Sequence, residues 1–183
     1  MSIGIGDNLG KSFGFAKDSL VGKWLNWLLL IIVAILPPVQ FILGTGIYAK
    51  ILRGEKLEVN NIGKAIIDGL LILVIFVIYS IPAMIVGGLL NLIGLGVLSI
   101  IVEFIALLIF IPALVNFSKK GFGAAFAFGD IIAKIGKVGW VDHIVSSLVI
   151  VIILAICCIP VIGWIITPFG WTVAFKMAAN LLA

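Results

Sequence analysis

The sequence predicts an all-α, polytopic integral membrane protein, a helical bundle with six membrane segments in three hairpins turned by Pro and Gly. Two observations on composition lead there. Of the 183 residues 63% are hydrophobic and 11% are charged, and mean hydropathy is +1.38, whereas soluble domains are about half apolar and about a quarter charged. A soluble domain of this size cannot hide so much apolar surface. The third observation is that all Lys and Arg residues can be placed on one side of a membrane. This placement predicts that residues 1–183 form a single membrane domain.

An amphipathic helix is predicted over residues 7–20. Leu9, Phe13, Ala16 and Leu20 recur at spacings of four, three and four, which is one face of a helix. Such a helix lies along a membrane surface with its apolar stripe toward lipid. Residues 7–20 therefore form the first of two predicted surface helices.

The first hairpin covers residues 24–52 and turns at Pro37 and Pro38. Each arm is only about 20 Å of helix, whereas the hydrocarbon core of a bilayer is about 30 Å thick. Two alternatives follow from this short length. The hairpin either re-enters on the side where it began or crosses where the bilayer is thinned.

The second hairpin covers residues 62–117 and turns around 91–96, where glycines follow Asn91. The third covers residues 141–182 and turns from Pro160 to Gly163. Between them, residues 120–140 are predicted to form the second surface helix. Its apolar stripe is Phe128, Ile131, Ile135 and Val138.

Charge determines the predicted topology. None of the three turns contains Lys or Arg, so all twelve basic residues fall on one side of the membrane in this arrangement. The positive-inside rule makes that side cytoplasmic, with both termini there. The rival arrangement, in which residues 24–52 are one kinked span, moves the loop around Arg53 and also Lys119 and Lys120 outside.

Aromatic residues are predicted to form two interfacial belts. Trp24, Trp27, Tyr48 and Trp140 belong to the cytoplasmic belt, and Tyr79 and Trp164 to the outer one.

Several short motifs follow one another in a recognisable order: Pro37 to Arg53 running into Gly54-Glu55, Asp68-Gly69-Leu70, Tyr79-Ser80-Ile81-Pro82, Phe128-Gly129-Asp130 and Thr167-Pro168-Phe169. In this order they resemble a mainly archaeal membrane family catalogued as domain of unknown function 4013. The resemblance implies a multi-pass membrane protein and no particular activity.

Glu103 is the foremost candidate functional residue, because ionisable groups within apolar segments are costly and rare. One interpretation is a proton- or cation-handling site, and another is a polar contact to a partner. The alternative without a function is a protonated carboxyl group that is hydrogen-bonded inside the bundle.

Four further polar residues are expected at the cytoplasmic boundary. Asp68 lies one turn from Lys64 and is expected to pair with it, and Asp130 precedes Lys134 at the favourable spacing of four. Asp142 and His143 begin a membrane segment, and an interfacial histidine is expected there.

Small residues at intervals of four predict close helix packing. The last segment has Gly170, Ala174 and Ala178, and Ala83 and Gly87 share that spacing. No motif predicts a metal site or a cofactor. Cys157 and Cys158 are adjacent, and their spacing suits neither a disulfide nor zinc.

These observations predict a non-enzymatic scaffold or accessory subunit in the cell membrane. The expected partners are membrane lipids and a second copy or other membrane subunits, and no nucleic acid is expected because the basic residues are dispersed. The alternative is a small channel or transporter that uses Glu103. A lipid-modifying enzyme is the weakest hypothesis, since its groups would come from Asp68, Asp130, Asp142 and His143.

Overall fold

A computed structural model describes residues 4–159 and 162–182, and in this part of the chain all regular structure is helical. The α-helices are α1 (Ile5–Leu20), α2 (Trp24–Ile35), α3 (Pro37–Val39), α4 (Thr45–Leu52), α5 (Ile62–Leu92), α6 (Ser99–Lys120), α7 (Phe128–Val138), α8 (Trp140–Cys157) and α9 (Ile162–Leu181). A π-helical turn at Gln40–Gly44 and 3₁₀ turns at Gly96–Leu98 and Phe122–Phe126 lie between them. The predicted all-α bundle is confirmed.

Three helical stretches in the described part of the chain are long and apolar enough to cross a membrane: Ile62–Leu92, Gly96–Lys120 and Trp140–Cys157. The pair α1 and α2 would make a fourth if counted as one span, although the two helices meet at an angle of 104°. The predicted count of six is therefore not confirmed. α2 has 12 residues, too few for about 30 Å of hydrocarbon.

The first hairpin turns where the sequence predicts. Leu36 adopts an extended conformation (φ −103°, ψ 104°), and Pro37 opens the next helix, where its missing N–H costs nothing. The chain then runs through α3, the π-helical turn and α4 without a break. The second hairpin turns after α5 with Gly94 at φ +77°. In the third, Pro160 lies outside the described residues, and Gly163 lies in the first turn of α9.

α9 is the central helix, since it packs against α8, α1, α4 and α2. Two contacts, one hydrogen bond and one pair of aromatic rings, show that α1 runs antiparallel to α9. Asn8 donates from its Nδ2 to the carbonyl oxygen of Met177 (3.1 Å), and the rings of Phe13 and Phe169 are 4.7 Å apart.

The surface that α1 buries differs from the predicted apolar stripe. Asn8, Ser12 and Ser19 are buried together with Ala16 and Leu20, whereas Phe13 is 55% exposed. Hydrogen bonds to α9 satisfy the buried amide of Asn8, so a polar face can turn inward. Apolar spacing does not predict this face, because three of its residues are polar.

α7 buries Ile131 and Ile135 of its predicted stripe, while Phe128 stays exposed. It packs against α6 and α8. The 3₁₀ turn before it reaches α5, because Tyr79 Oη donates to the carbonyl oxygen of Ala125 at 2.6 Å.

The division of the aromatic residues into two belts is wrong. Tyr79 was assigned to the outer face, yet it bonds to the segment that was assigned to the cytoplasmic face. Trp27 was assigned to the cytoplasmic face, yet its Nε1 donates to the carbonyl oxygen of Ile165 (3.3 Å), next to Trp164 of the outer belt. Both contacts join residues far apart in sequence, which belt statistics cannot anticipate.

Candidate functional site

Glu103 lies in the second turn of α6 and its side chain is exposed. Within residues 4–159 and 162–182 it makes no hydrogen bond and no salt bridge. Its neighbours along the helix, Ile100, Ile101 and Ile105, are 66%, 56% and 51% exposed. The expectation of a carboxyl group hydrogen-bonded inside the bundle is therefore wrong. The carboxyl group stands on an outward, apolar surface of the protein.

A groove of about 530 Å³ between α5 and α6 contains this carboxyl group. Ser80 and Tyr79 are polar residues in its wall, but both hydroxyl groups are already used. Ser80 Oγ donates to the carbonyl oxygen of Phe76 (2.8 Å), and Tyr79 Oη donates to Ala125. Met84 and Phe104 belong to the apolar remainder of the wall. Glu103 thus supplies the one carboxyl group among the residues that line this groove.

Asp68 pairs with Arg53 and not with the predicted Lys64. Arg53 Nη1 lies 2.9 Å from Asp68 Oδ2, and Arg53 Nε lies 2.7 Å from Glu55 Oε1. The side chains of Arg53 and Asp68 are 16% and 13% exposed, so water screens this pair little. The pair ties the end of α4 to the first turns of α5.

Lys50, a buried residue of α4, holds the end of the loop that leads into α5. Lys50 Nζ donates to the carbonyl oxygens of Glu58 (2.8 Å) and Asn60 (3.0 Å), and also to the side-chain oxygen of Asn60. Asn26 of α2 then joins the loop, since its Nδ2 donates to the carbonyl oxygen of Leu57 (3.2 Å). This loop is a fixed part of the fold.

Asp130 and Asp142 lie in the first turns of α7 and α8, where a negative charge stabilises the helix. Asp130 pairs with Lys120 across 3.5 Å, instead of with the predicted Lys134, and both side chains are more than half exposed. Burial lowers the pKa of Lys134, and nearby Lys119 and Lys120 lower it further, while Asp130 opposes this effect. These charged side chains lie on a solvated surface and do not converge on a common site.

His143 is fully buried, whereas an interfacial position was expected. Its Nε2 lies 2.8 Å from the carbonyl oxygen of Leu108 in α6. Ser146 and Ser147, one turn further along α8, are also buried, and so is Asn116 of α6. The contact joins α6 to α8, so His143 acts as a helix-packing residue here. Asp68, Asp130, Asp142 and His143 make no hydrogen bond or salt bridge with one another among the described residues.

The residues singled out for packing lie at helix contacts. A Cβ atom at Gly170 would overlap Sγ of Cys157 in α8, and Ala174 and Ala178 are buried in the core. Ala83 is buried, and a Cβ atom at Gly87 would come within 3.3 Å of Ser99. Gly163 also faces α8, because a Cβ atom there would overlap the carbonyl oxygen of Cys157.

The closest helix crossing was missed by the sequence analysis. A Cβ atom at Gly46 would overlap the carbonyl oxygen of Ala65, and one at Gly69 would overlap the carbonyl oxygen of Ile42. The π-helical turn lies beside this crossing, and the amide of Gln40 is buried there without a hydrogen-bond partner among the described residues. The sequence signal for this close crossing is Gly69, a small residue in the motif Asp68-Gly69-Leu70.

Cys157 is buried and Cys158 exposed, and both are free thiols. In the ranges 4–159 and 162–182, no three His, Cys, Asp or Glu side chains come together as a metal site would require.

The comparisons with known proteins identify a family and no activity. A family model described as "Protein of unknown function (DUF4013)" matches residues 29–168, well over half of the chain. No curated protein and no solved structure matches the chain. The matched range runs from α2 into α9 and includes Arg53, Asp68 and Glu103. The chain therefore belongs to this family of proteins of unknown function, DUF4013.

Proposed function

We propose that this membrane protein is a non-enzymatic scaffold or accessory subunit, and that it holds a partner membrane helix against the groove that contains Glu103. The observation that carries the proposal is the exposed carboxyl group of Glu103 amid exposed isoleucines. Ionisable residues in membrane segments almost always face a bundle interior or a wet cavity. An outward carboxyl group is accounted for when a second helix covers it.

The chemistry of the groove specifies the partner. Because Ser80 and Tyr79 donate their hydroxyl protons within the chain, Glu103 is the one charged acceptor that the groove offers to a partner. A Lys, Arg or His side chain, or an amide donor, on the partner helix would complete the contact. The apolar wall, which includes Met84 and Ile100, suits the remainder of an apolar helix.

Site-specific photo-crosslinking in cells would test this proposal. A photoreactive residue would replace Met84, which is 72% exposed in the groove, and the matched control would replace Leu148, which is 47% exposed on α8. We expect a discrete adduct from position 84 only, and we expect Glu103→Gln to weaken it. A free monomer at both positions, or equal adducts at both, would overturn the proposal.

The mass of the adduct distinguishes the two kinds of partner. An adduct of two copies of this chain would identify a homo-oligomer, and a different mass would identify another membrane subunit. Both results support the proposal, because each places a helix over Glu103.

A second candidate function is a small channel or carrier. The π-helical turn at Gln40–Gly44, next to the break at Pro37, favours it, because interrupted helices with buried polar groups bind substrate or ions in many transporters. Ion flux into proteoliposomes would be compared for the wild type, Glu103→Gln and Gln40→Leu. Flux that neither substitution changes, or no flux at all, would remove this candidate.

A further inference from the structure

A second, half-open cavity of about 480 Å³ lies between α4, α5, α6, α8 and α9. Among the residues that line this cavity, Thr45 is the one with a hydroxyl group. That hydroxyl group donates to the carbonyl oxygen of Phe41 in the preceding turn. The rest of the wall is aliphatic and aromatic, with Trp171 and Phe175 on the α9 side.

Water does not suit this cavity. A buried water needs two to four polar partners, and the wall offers almost none. The volume is also about three times the roughly 150 Å³ of an apolar cavity that stays dry and takes up benzene. Protein interiors are close-packed, so a space of this size calls for an apolar occupant.

The cavity adjoins the groove that contains Glu103. Phe76, Leu107, Phe110 and Val151 line both spaces. The groove opens on the apolar outer surface of α5 and α6, where Met84 and Ile100 are exposed. A flexible hydrocarbon chain in the surrounding bilayer therefore has a route past these four shared side chains into the bundle.

We infer that this cavity is a binding site for one hydrocarbon chain of a bilayer lipid, which completes the core between α4, α8 and α9. The chain is recognised by shape and apolarity alone, since the wall presents no free charge. The site differs from the proposed partner contact in its polar group, because Glu103 lies in the groove wall and not in the cavity wall, although the two spaces share four apolar side chains.

Fluorescence quenching by brominated lipid tests the inference, because Trp171 lies in the cavity wall. The probe protein keeps Trp171 and carries Phe at Trp24, Trp27, Trp140 and Trp164. It would be placed in nanodiscs of dibromostearoyl phosphatidylcholine and, for reference, of the same lipid without bromine. We expect loss of most of the Trp171 emission in the brominated discs.

Two alanine substitutions separate the cavity from the outer surface. Ala178→Phe fills the cavity, since Ala178 is in its wall, whereas Ala155→Phe makes the same change on an exposed position of α8. We expect Ala178→Phe to restore emission and Ala155→Phe to leave the quenching intact. Quenching that Ala178→Phe does not relieve would overturn the inference, and so would emission that is equal in both kinds of disc.

Two further controls keep the result interpretable. Circular dichroism and gel filtration of each variant identify one that fails to fold, in which case Leu154→Phe at another wall position replaces Ala178→Phe. Glu103→Gln should leave the quenching unchanged, so failure of the lipid site and failure of the partner contact are read separately. Dibromostearic acid in discs of unbrominated lipid distinguishes a free fatty acid: strong quenching at trace concentration would overturn the assignment to a bilayer lipid.

Discussion

At the scale of the residue, two glycines determine how closely α4 and the π-helical turn approach α5. The positions of Gly46 and Gly69 leave no room for a methyl group, because backbone carbonyl oxygens occupy that space. Backbone cannot rotate away as a side chain can. Other glycines of α5, such as Gly63, have open space around them.

Gly69→Ala is therefore expected to destabilise the protein by roughly 1–3 kcal/mol or more, the usual range for overpacking. Gly63→Ala in the same helix is the matched control and should be neutral or stabilise by about 0.5–1 kcal/mol, since alanine favours helix. Thermal unfolding in detergent measures both. Equal melting temperatures for the two variants would show that the crossing is looser than described.

The ion pair of Arg53 and Asp68 gives a second prediction at this scale. Arg53→Gln is expected to cost about 1–3 kcal/mol, because it leaves the largely buried carboxylate of Asp68 without a counter-charge, and Asp68→Asn is expected to cost less, because Arg53 keeps its contact with Glu55. A double-mutant cycle should show coupling of at least about 0.5 kcal/mol between them. Lys64→Gln, at the partner expected from helical spacing, should change stability by no more than about 0.5 kcal/mol. Coupling of Asp68 to Lys64 instead would contradict the observed pair.

At the scale of the element, α1 shows that apolar spacing alone does not identify the buried face of a helix. Its outer face carries Lys11, Lys17 and Asp18, and its inner face carries Asn8 and Ser12. Asn180 Nδ2 donates to Asn8 Oδ1 at 3.1 Å, so the amide of Asn8 both donates and accepts. Polar bonds, together with Ala16 and Leu20, dock this helix on α9.

Asn8→Ala should expose α1 to proteolysis, because it removes the hydrogen bonds of Asn8 to the Met177 carbonyl oxygen and to the Asn180 amide, at a cost of about 1–3 kcal/mol. Lys11→Ala, on the exposed face, is the control and should behave as the wild type. Hydrogen exchange followed by mass spectrometry would show faster exchange in residues 5–20 of Asn8→Ala alone. Unchanged protection would mean that the apolar contacts of Ala16 and Leu20 suffice.

The amino-acid sequence predicts the local features of this fold better than its long-range contacts. The break at Pro37, the turn at Gly94 and the helical faces of Ile131 and Ile135 follow from short-range stereochemistry and periodicity. Asn8 with Asn180, Tyr79 with Ala125 and Asp68 with Arg53 are contacts that no spacing encodes. For the same reason, the sequence identifies Glu103 as a candidate functional residue but does not predict that its side chain points outward. That direction depends on how α5 and α6 pack.

At the scale of the whole molecule, we propose residence in the cell membrane with both termini in the cytoplasm. The support is the placement of all twelve basic residues outside the predicted outer turns. The bond between Trp27 and Ile165 adds a geometric condition, because it brings the start of α2 beside the start of α9. The predicted arrangement has the start of α2 on the cytoplasmic side and the start of α9 on the outer side, so this contact contradicts the assignment of at least one of the two to its side of the membrane.

Cysteine labelling of intact cells would test this arrangement on a background with Cys157 and Cys158 replaced by Ser. We expect a membrane-impermeant reagent to label Gly94→Cys in the turn after α5, and to leave Lys56→Cys and Lys120→Cys unlabelled until the cells are permeabilised. Labelling of Lys56→Cys from outside would reverse the proposed orientation of the loop between α4 and α5.

The bond between Asn8 and Asn180 also governs the order of events during synthesis. The ribosome adds Asn180, whose amide completes the bonding of Asn8, 172 residues after Asn8 itself. α1 therefore acquires this partner only after the intervening helices α2 to α8 have been synthesised, so the docking of α1 on α9 is a late event in the assembly of the bundle.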